Sequence, residues 1–218
     1  MDAERIESIA DAVKAVVEGE IAALTAALKS GVVTAQDVDE SGCTLLHWAA
    51  LNNRCEIASV LINKGADVNS CGGVLGETPL MWALRRRYYA MASLLYSNGA
   101  DISIKNKVDG SDALHNAVKV NLDIHAVFLL LYWGADSNSL DSKGDTPLTW
   151  IVDNRQGPHG LEIVRLLCKF DTSDEMGDKE ADEVSQPKFL CTVGILCNMD
   201  YCTRQLWCSS IIPIISLA

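Results

Sequence analysis

The sequence predicts an all-α solenoid of paired antiparallel helices joined by turn or hairpin loops, and three observations carry that prediction. Gly42, Gly76, Gly110 and Gly144 recur every 34 residues, in register with Thr44, Thr78, Asp112 and Thr146. A related phrase follows each of those residues: Leu45-Leu46-His47-Trp48-Ala49, Pro79-Leu80-Met81-Trp82-Ala83, Ala113-Leu114-His115-Asn116-Ala117 and Pro147-Leu148-Thr149-Trp150-Ile151. Three copies close alike, in Gly65-Ala66-Asp67, Gly99-Ala100-Asp101 and Gly134-Ala135-Asp136. A fixed period of this length marks stacked units, each of which buries its apolar face against its neighbours.

Residues 1–38 come first and read as a degenerate capping repeat. The Ala- and Val-rich run from Ile9 to Leu28 supplies two short helices around Gly19, without the recurring phrase, as suits a terminal unit with one face in solvent. Residues 39–171 then hold four full copies. In each, the Thr or Asp side chain can accept from the free N–H groups of the first helical turn. Pro79 and Pro147 sit just inside, where a missing N–H costs nothing. Second helices carry apolar residues at helical spacing, as in Ile57, Val60 and Leu61 or Ile163, Val164 and Leu167. Gly65, Gly99 and Gly134 stop those helices, because a left-handed residue without Cβ carries no steric penalty there. After Lys179 the repeat pattern ends, and residues 172–218, acidic and then rich in Cys and Ile, are expected to be disordered or non-native.

The period, the Thr-Pro-Leu-His-x-Ala phrase and the closing Gly-Ala-Asp resemble the ankyrin repeat. A narrower likeness rests on Leu45-Leu46-His47-Trp48-Ala49-Ala50-Leu51-Asn52-Asn53-Arg54, on Cys71-Gly72-Gly73-Val74-Leu75-Gly76 before Thr78-Pro79-Leu80, and on Gly144-Asp145-Thr146-Pro147-Leu148-Thr149-Trp150. Together, over residues 5 to 180, these resemble the N-terminal ankyrin array of the DHHC-type protein S-palmitoyltransferases, in the subgroup of the huntingtin-interacting acyltransferase. The resemblance implies substrate recruitment at the cytosolic face of Golgi or related membranes. It also implies an extended peptide ligand with a Gln-Pro pair, held by Asn52 and Trp82.

Position within the repeat independently puts Asn52 on the inner face, and by the same rule Arg86, Val120 and Asn154, beside Arg85, Lys119 and Asp153. From the residues alone Trp82 has two readings, a platform for a proline ring or a core ring wedged between repeats, since Trp48 and Trp150 share its slot. The expected peptide-binding residues are Asn52, Trp82 and Arg86. Arg85, Arg86 and Arg87 form a small positive patch, read either as a solvated face or as a contact for an acidic partner.

Charge and composition exclude other classes. Net charge is −11 overall, and neither the cap, the repeats nor the tail is basic, so nucleic acid is not an expected partner. The first residues are mixed and acidic rather than signal-like, and no apolar run is long enough to span a bilayer. Scattered cysteines fit a reducing cytoplasmic setting and a monomer without disulfides. No cofactor or metal site is expected: Cys191, Cys197, Cys202 and Cys208 lack Cys-x-x-Cys spacing and a nearby histidine. His47, His115, His125 and His159 are far apart, and the Asp-His-His-Cys motif of the resembled enzymes does not occur. The chain alone is therefore expected to be inactive in acyl transfer, with His47 and His115 tying turns together. Two alternatives stay open: a free-standing cytosolic ankyrin adaptor, and an N-terminal piece of a membrane enzyme.

Overall fold

The computed structural model describes residues 6–154 and 158–171, all within one compact unit that spans 1–172. Five helical hairpins occur among them. They are α1 (Ile9–Glu18) with α2 (Ile21–Ser30), α3 (Leu45–Leu51) with α4 (Cys55–Asn63), α5 (Pro79–Arg85) with α6 (Tyr89–Ser97), α7 (Ala113–Asn121) with α8 (Ile124–Tyr132), and α9 (Pro147–Asn154) with α10 (Pro158–Asp171). The first helices pack in series, α1 on α3, α3 on α5, α5 on α7 and α7 on α9. The second helices form the other layer, with α2 on α4, α4 on α6 and α8 on α10. The expected tail beyond residue 171 lies outside the described residues.

Periodicity explains the core. Leu46, Leu80 and Leu114 occupy one slot in consecutive repeats and are all essentially fully buried, as are Ile57, Leu61, Ile163 and Leu167 from the second helices. Each such side chain stabilises the fold by about 1.5–3 kcal/mol relative to exposure. Gly65, Gly99 and Gly134 have φ of 86°, 88° and 88°, so the helix stops adopt the left-handed backbone that their sequence predicts. The loops between repeats close on short backbone pairs, such as Gly72 with Glu77, whose N–H and C=O groups exchange bonds of 2.9 and 3.0 Å.

Three of the four expected caps form as written. Thr78 Oγ1 accepts from Met81 N at 3.4 Å, Asp112 Oδ1 from His115 N at 2.9 Å and Thr146 Oγ1 from Thr149 N at 3.1 Å. The Thr44 hydroxyl instead meets His47 Nδ1 at 2.9 Å, and that ring nitrogen also accepts from the Thr44 backbone N at 3.1 Å. With Nδ1 an acceptor, His47 Nε2–H donates to Glu77 O of the next repeat at 3.0 Å. Burial holds the His47 pKa below its ordinary value, so the ring is neutral.

His115 fills the same slot one repeat pair later but has a carboxylate for a partner. Its Nδ1 lies 2.9 Å from Asp112 Oδ1, and its Nε2 lies 3.0 Å from Asp145 O. Both neighbours only accept, so both ring nitrogens donate and the ring is an imidazolium. Burial opposes that charge, but the hydrogen bond and charge of Asp112 outweigh it and raise the His115 pKa. Asp112 is likewise penalised by burial yet held low by His115 and by the Ser139 hydroxyl that bonds to it. A single Thr-to-Asp difference between repeats turns a neutral turn-tie into a buried ion pair.

Candidate peptide-binding site

The inner-face stretch singled out by sequence is built on α3, α5 and the loop before α5. The Trp82 ring is only half-buried. It makes T-shaped contacts with His47 at a centroid distance of 5.2 Å and with Trp48 at 6.1 Å, which together fix its plane. Around it lies a concavity of about 220 Å³ lined by Leu51, Gly72, Gly73, Val74, Leu75, Glu77, Trp82 and Arg85. Apolar surface dominates the wall, and Val74 at the loop tip is 95% exposed. The two tryptophans of this region differ in their N–H groups. Trp48 Nε1 donates to Asp39 Oδ2 at 2.8 Å, whereas the Trp82 indole N–H makes no hydrogen bond among the described residues.

Asn52 does not line that concavity; its neighbour Leu51 does. The Asn52 amide is turned onto its own helix, Nδ2 donating to Trp48 O at 2.9 Å, which leaves Oδ1 as the atom able to accept from elsewhere. Sequence reading also missed Glu77, which is 2% exposed and sits at the polar end of the concavity. Its carboxylate accepts from Arg85 and, at 3.2 Å, from Asn116 Nδ2. Burial pushes the Glu77 pKa up, and Arg85 and Asn116 oppose that push. Its acidity was no signal, because the equivalent position carries Asp145 in one repeat and Cys43 and Ser111 in the others.

The positive patch is corrected by these pairings. Arg85 is bound to Glu77, and Arg87 Nε reaches Asp123 Oδ2 at 3.5 Å. Arg86 remains exposed, without an ion pair among the described residues. Lys119 is likewise structural: its ammonium bonds Asp109, Asp141 and the Ser111 hydroxyl at 3.0, 2.7 and 2.7 Å. Val120 is 44% exposed, while the side chains of Asp153 and Asn154 lie outside the described residues.

Two glycines let the loop close over the tryptophan. A Cβ on Gly73, whose φ is +73°, would come within 3.1 Å of Trp82 Cζ2. One on Gly72 would come within 2.7 Å of Gly42 O and 3.0 Å of both Cys43 Cα and His47 Cε1. The backbone of the preceding repeat cannot yield easily, so Gly72→Ala is expected to destabilise the fold by about 1–3 kcal/mol. Chemical denaturation checks this, and an unchanged midpoint would show that the loop is not seated as described.

A family model described as ankyrin repeats, in three copies, matches residues 10–106. Over that stretch the chain is similar to ankyrin repeats. It is similar to the palmitoyltransferase akr1 of Schizosaccharomyces pombe, 45% identical over 133 residues, which is 61% of this chain and 20% of that protein. Palmitoyltransferase AKR1 of Lachancea kluyveri is 34% identical over 167 residues, covering 74% and 22%. A putative palmitoyltransferase of Danio rerio, ZDHHC13, is 35% identical over 142 residues, covering 65% and 21%. The chain thus spans about a fifth of the length of the curated relatives it matches. Among its described residues no helix is long and apolar enough to cross a membrane.

Proposed function

We propose that this ankyrin array captures an extended segment of a partner protein at Trp82, as the substrate-recruiting part of a protein S-palmitoyltransferase acting at the cytosolic face of Golgi or related membranes. One observation carries the reading: Trp82 stands half-exposed in an apolar concavity with its N–H unengaged, whereas Trp48 is tied to Asp39. Likeness to palmitoyltransferases supports the context. In this scheme a proline ring rests against Trp82, and the preceding glutamine or its backbone amide donates to Asn52 Oδ1. Arg86 stands on the same face, four residues after Trp82.

The array holds and presents; the reaction belongs to another part of the enzyme. Cys43, the thiol behind Gly73, is pushed up to about 11 by burial and then by the charge of Asp39, so it is no nucleophile at neutral pH. Purified chain incubated with labelled acyl-CoA is expected to transfer no acyl group, and a thioester passed on to a peptide would overturn this division of labour. Calorimetric titration with a Gln-Pro peptide tests the recruiting function itself. If a folded array fails to bind it, the adaptor reading takes its place.

A further inference from the structure

Resting on the Trp82 reading, a second inference concerns what flanks the residue in the concavity. The fixed charges around it are mostly spent. Glu77 is buried against Arg85 and Asn116, Arg87 is paired with Asp123, and Asp39 accepts from Trp48, Ser41 N and Cys43 N. Two cations are not. Arg86 is exposed one helical turn beyond Trp82, where i and i+4 side chains share a face. Lys107, on the next loop, is exposed too, and its stem lies across Gly76, so that a Cβ there would meet Lys107 Cγ at 2.7 Å. The Lys107 backbone N donates to Leu75 O at 3.0 Å, which fastens this lysine's loop to the wall of the concavity.

Neither Arg86 nor Lys107 has an ion pair among the described residues, in a chain whose net charge is −11. A ligand that seats an apolar residue on Trp82 therefore passes two uncompensated cations on the side of α5 and the third repeat. An extended chain advances about 3.3 Å per residue, so the acids to be read are those close in sequence to the seated residue.

We propose that the array selects an acidic peptide, in which the residue held by Trp82 is flanked by Asp or Glu read by Arg86 and Lys107. Three peptides of equal length test it: Gln-Pro flanked on both sides by two serines, by two aspartates or by two lysines. Fluorescence anisotropy is expected to rank aspartate above serine above lysine. The aspartate form should bind about fivefold more tightly than serine, as two exposed ion pairs allow, and less so as salt rises. The double variant Arg86→Glu/Lys107→Glu, altered only at exposed positions, should reverse the ranking while its circular dichroism stays that of the wild type. Equal binding of the serine and aspartate peptides, or an unreversed order in the variant, overturns this inference and leaves the Trp82 reading standing. Aspartate-peptide binding that survives Trp82→Ala undiminished marks non-specific charge attraction and also overturns it. No binding by any of the three sinks both.

Discussion

Asp112→Ala is expected to destabilise the array by about 3 kcal/mol near pH 6, toward the lower end of what breaking a buried ion pair costs because His115 can release its proton. The variant loses the cap on His115 N at 2.9 Å, the partner of His115 Nδ1 and the acceptor for the Ser139 hydroxyl. Its effect must vary with pH. His115 has a raised pKa in the fold, so its stabilisation is complete below the ordinary histidine value of about 6.5 and is lost as pH rises through the folded value. Asp112 has a lowered pKa, so its stabilisation is present above about 4 and is lost as pH falls through the folded value. The pair therefore contributes most between those limits. Urea denaturation of wild type and variant at pH 6 and pH 9 should show the larger difference at pH 6. Equal differences would mean that His115 is neutral.

His47 supplies the opposite sign within the same molecule. Its pKa is lowered by burial, so its contribution is present above about 6.5 and declines as pH falls below that toward the folded value. Asp112→Thr, which gives the third repeat the residue found at Thr44, should cost much less than alanine. It should also make the His115 dependence resemble that of His47.

Trp82→Ala is expected to weaken binding of a Gln-Pro peptide by about 2 kcal/mol, roughly thirtyfold, as for a central aromatic anchor. Asn52→Ala should cost about 1 kcal/mol, since only its Oδ1 is left to engage a ligand. Trp82 also makes T-shaped contacts with His47 and Trp48, so its truncation lowers stability as well. Trp82→Phe separates the two effects, because it keeps an aromatic face in the concavity while giving up the indole N–H. Calorimetry on each variant, with circular dichroism to establish folding, is the measurement. Unchanged affinity in folded Trp82→Ala would make the ring a core element alone.

What the sequence by itself determined was everything repeated. A 34-residue period sets which leucines share a slot, and Leu46, Leu80 and Leu114 are buried for that reason. Helix starts and stops were legible because capping and left-handed backbone are local matters, decided within a few residues of Thr78, Asp112 or Gly65. The candidate site was legible only in part. Trp82 stood out by family likeness, but its half-exposure against Trp48 depends on how α3 and α5 pack. Glu77 was invisible as a site residue because its partners Arg85 and Asn116 lie 8 and 39 residues away. The protonation of His47 and His115 and the neutralising of Arg85 and Arg87 were likewise decided by tertiary structure. Charge states follow from burial and from which groups come within a few ångströms, and neither is a property of a local stretch of chain.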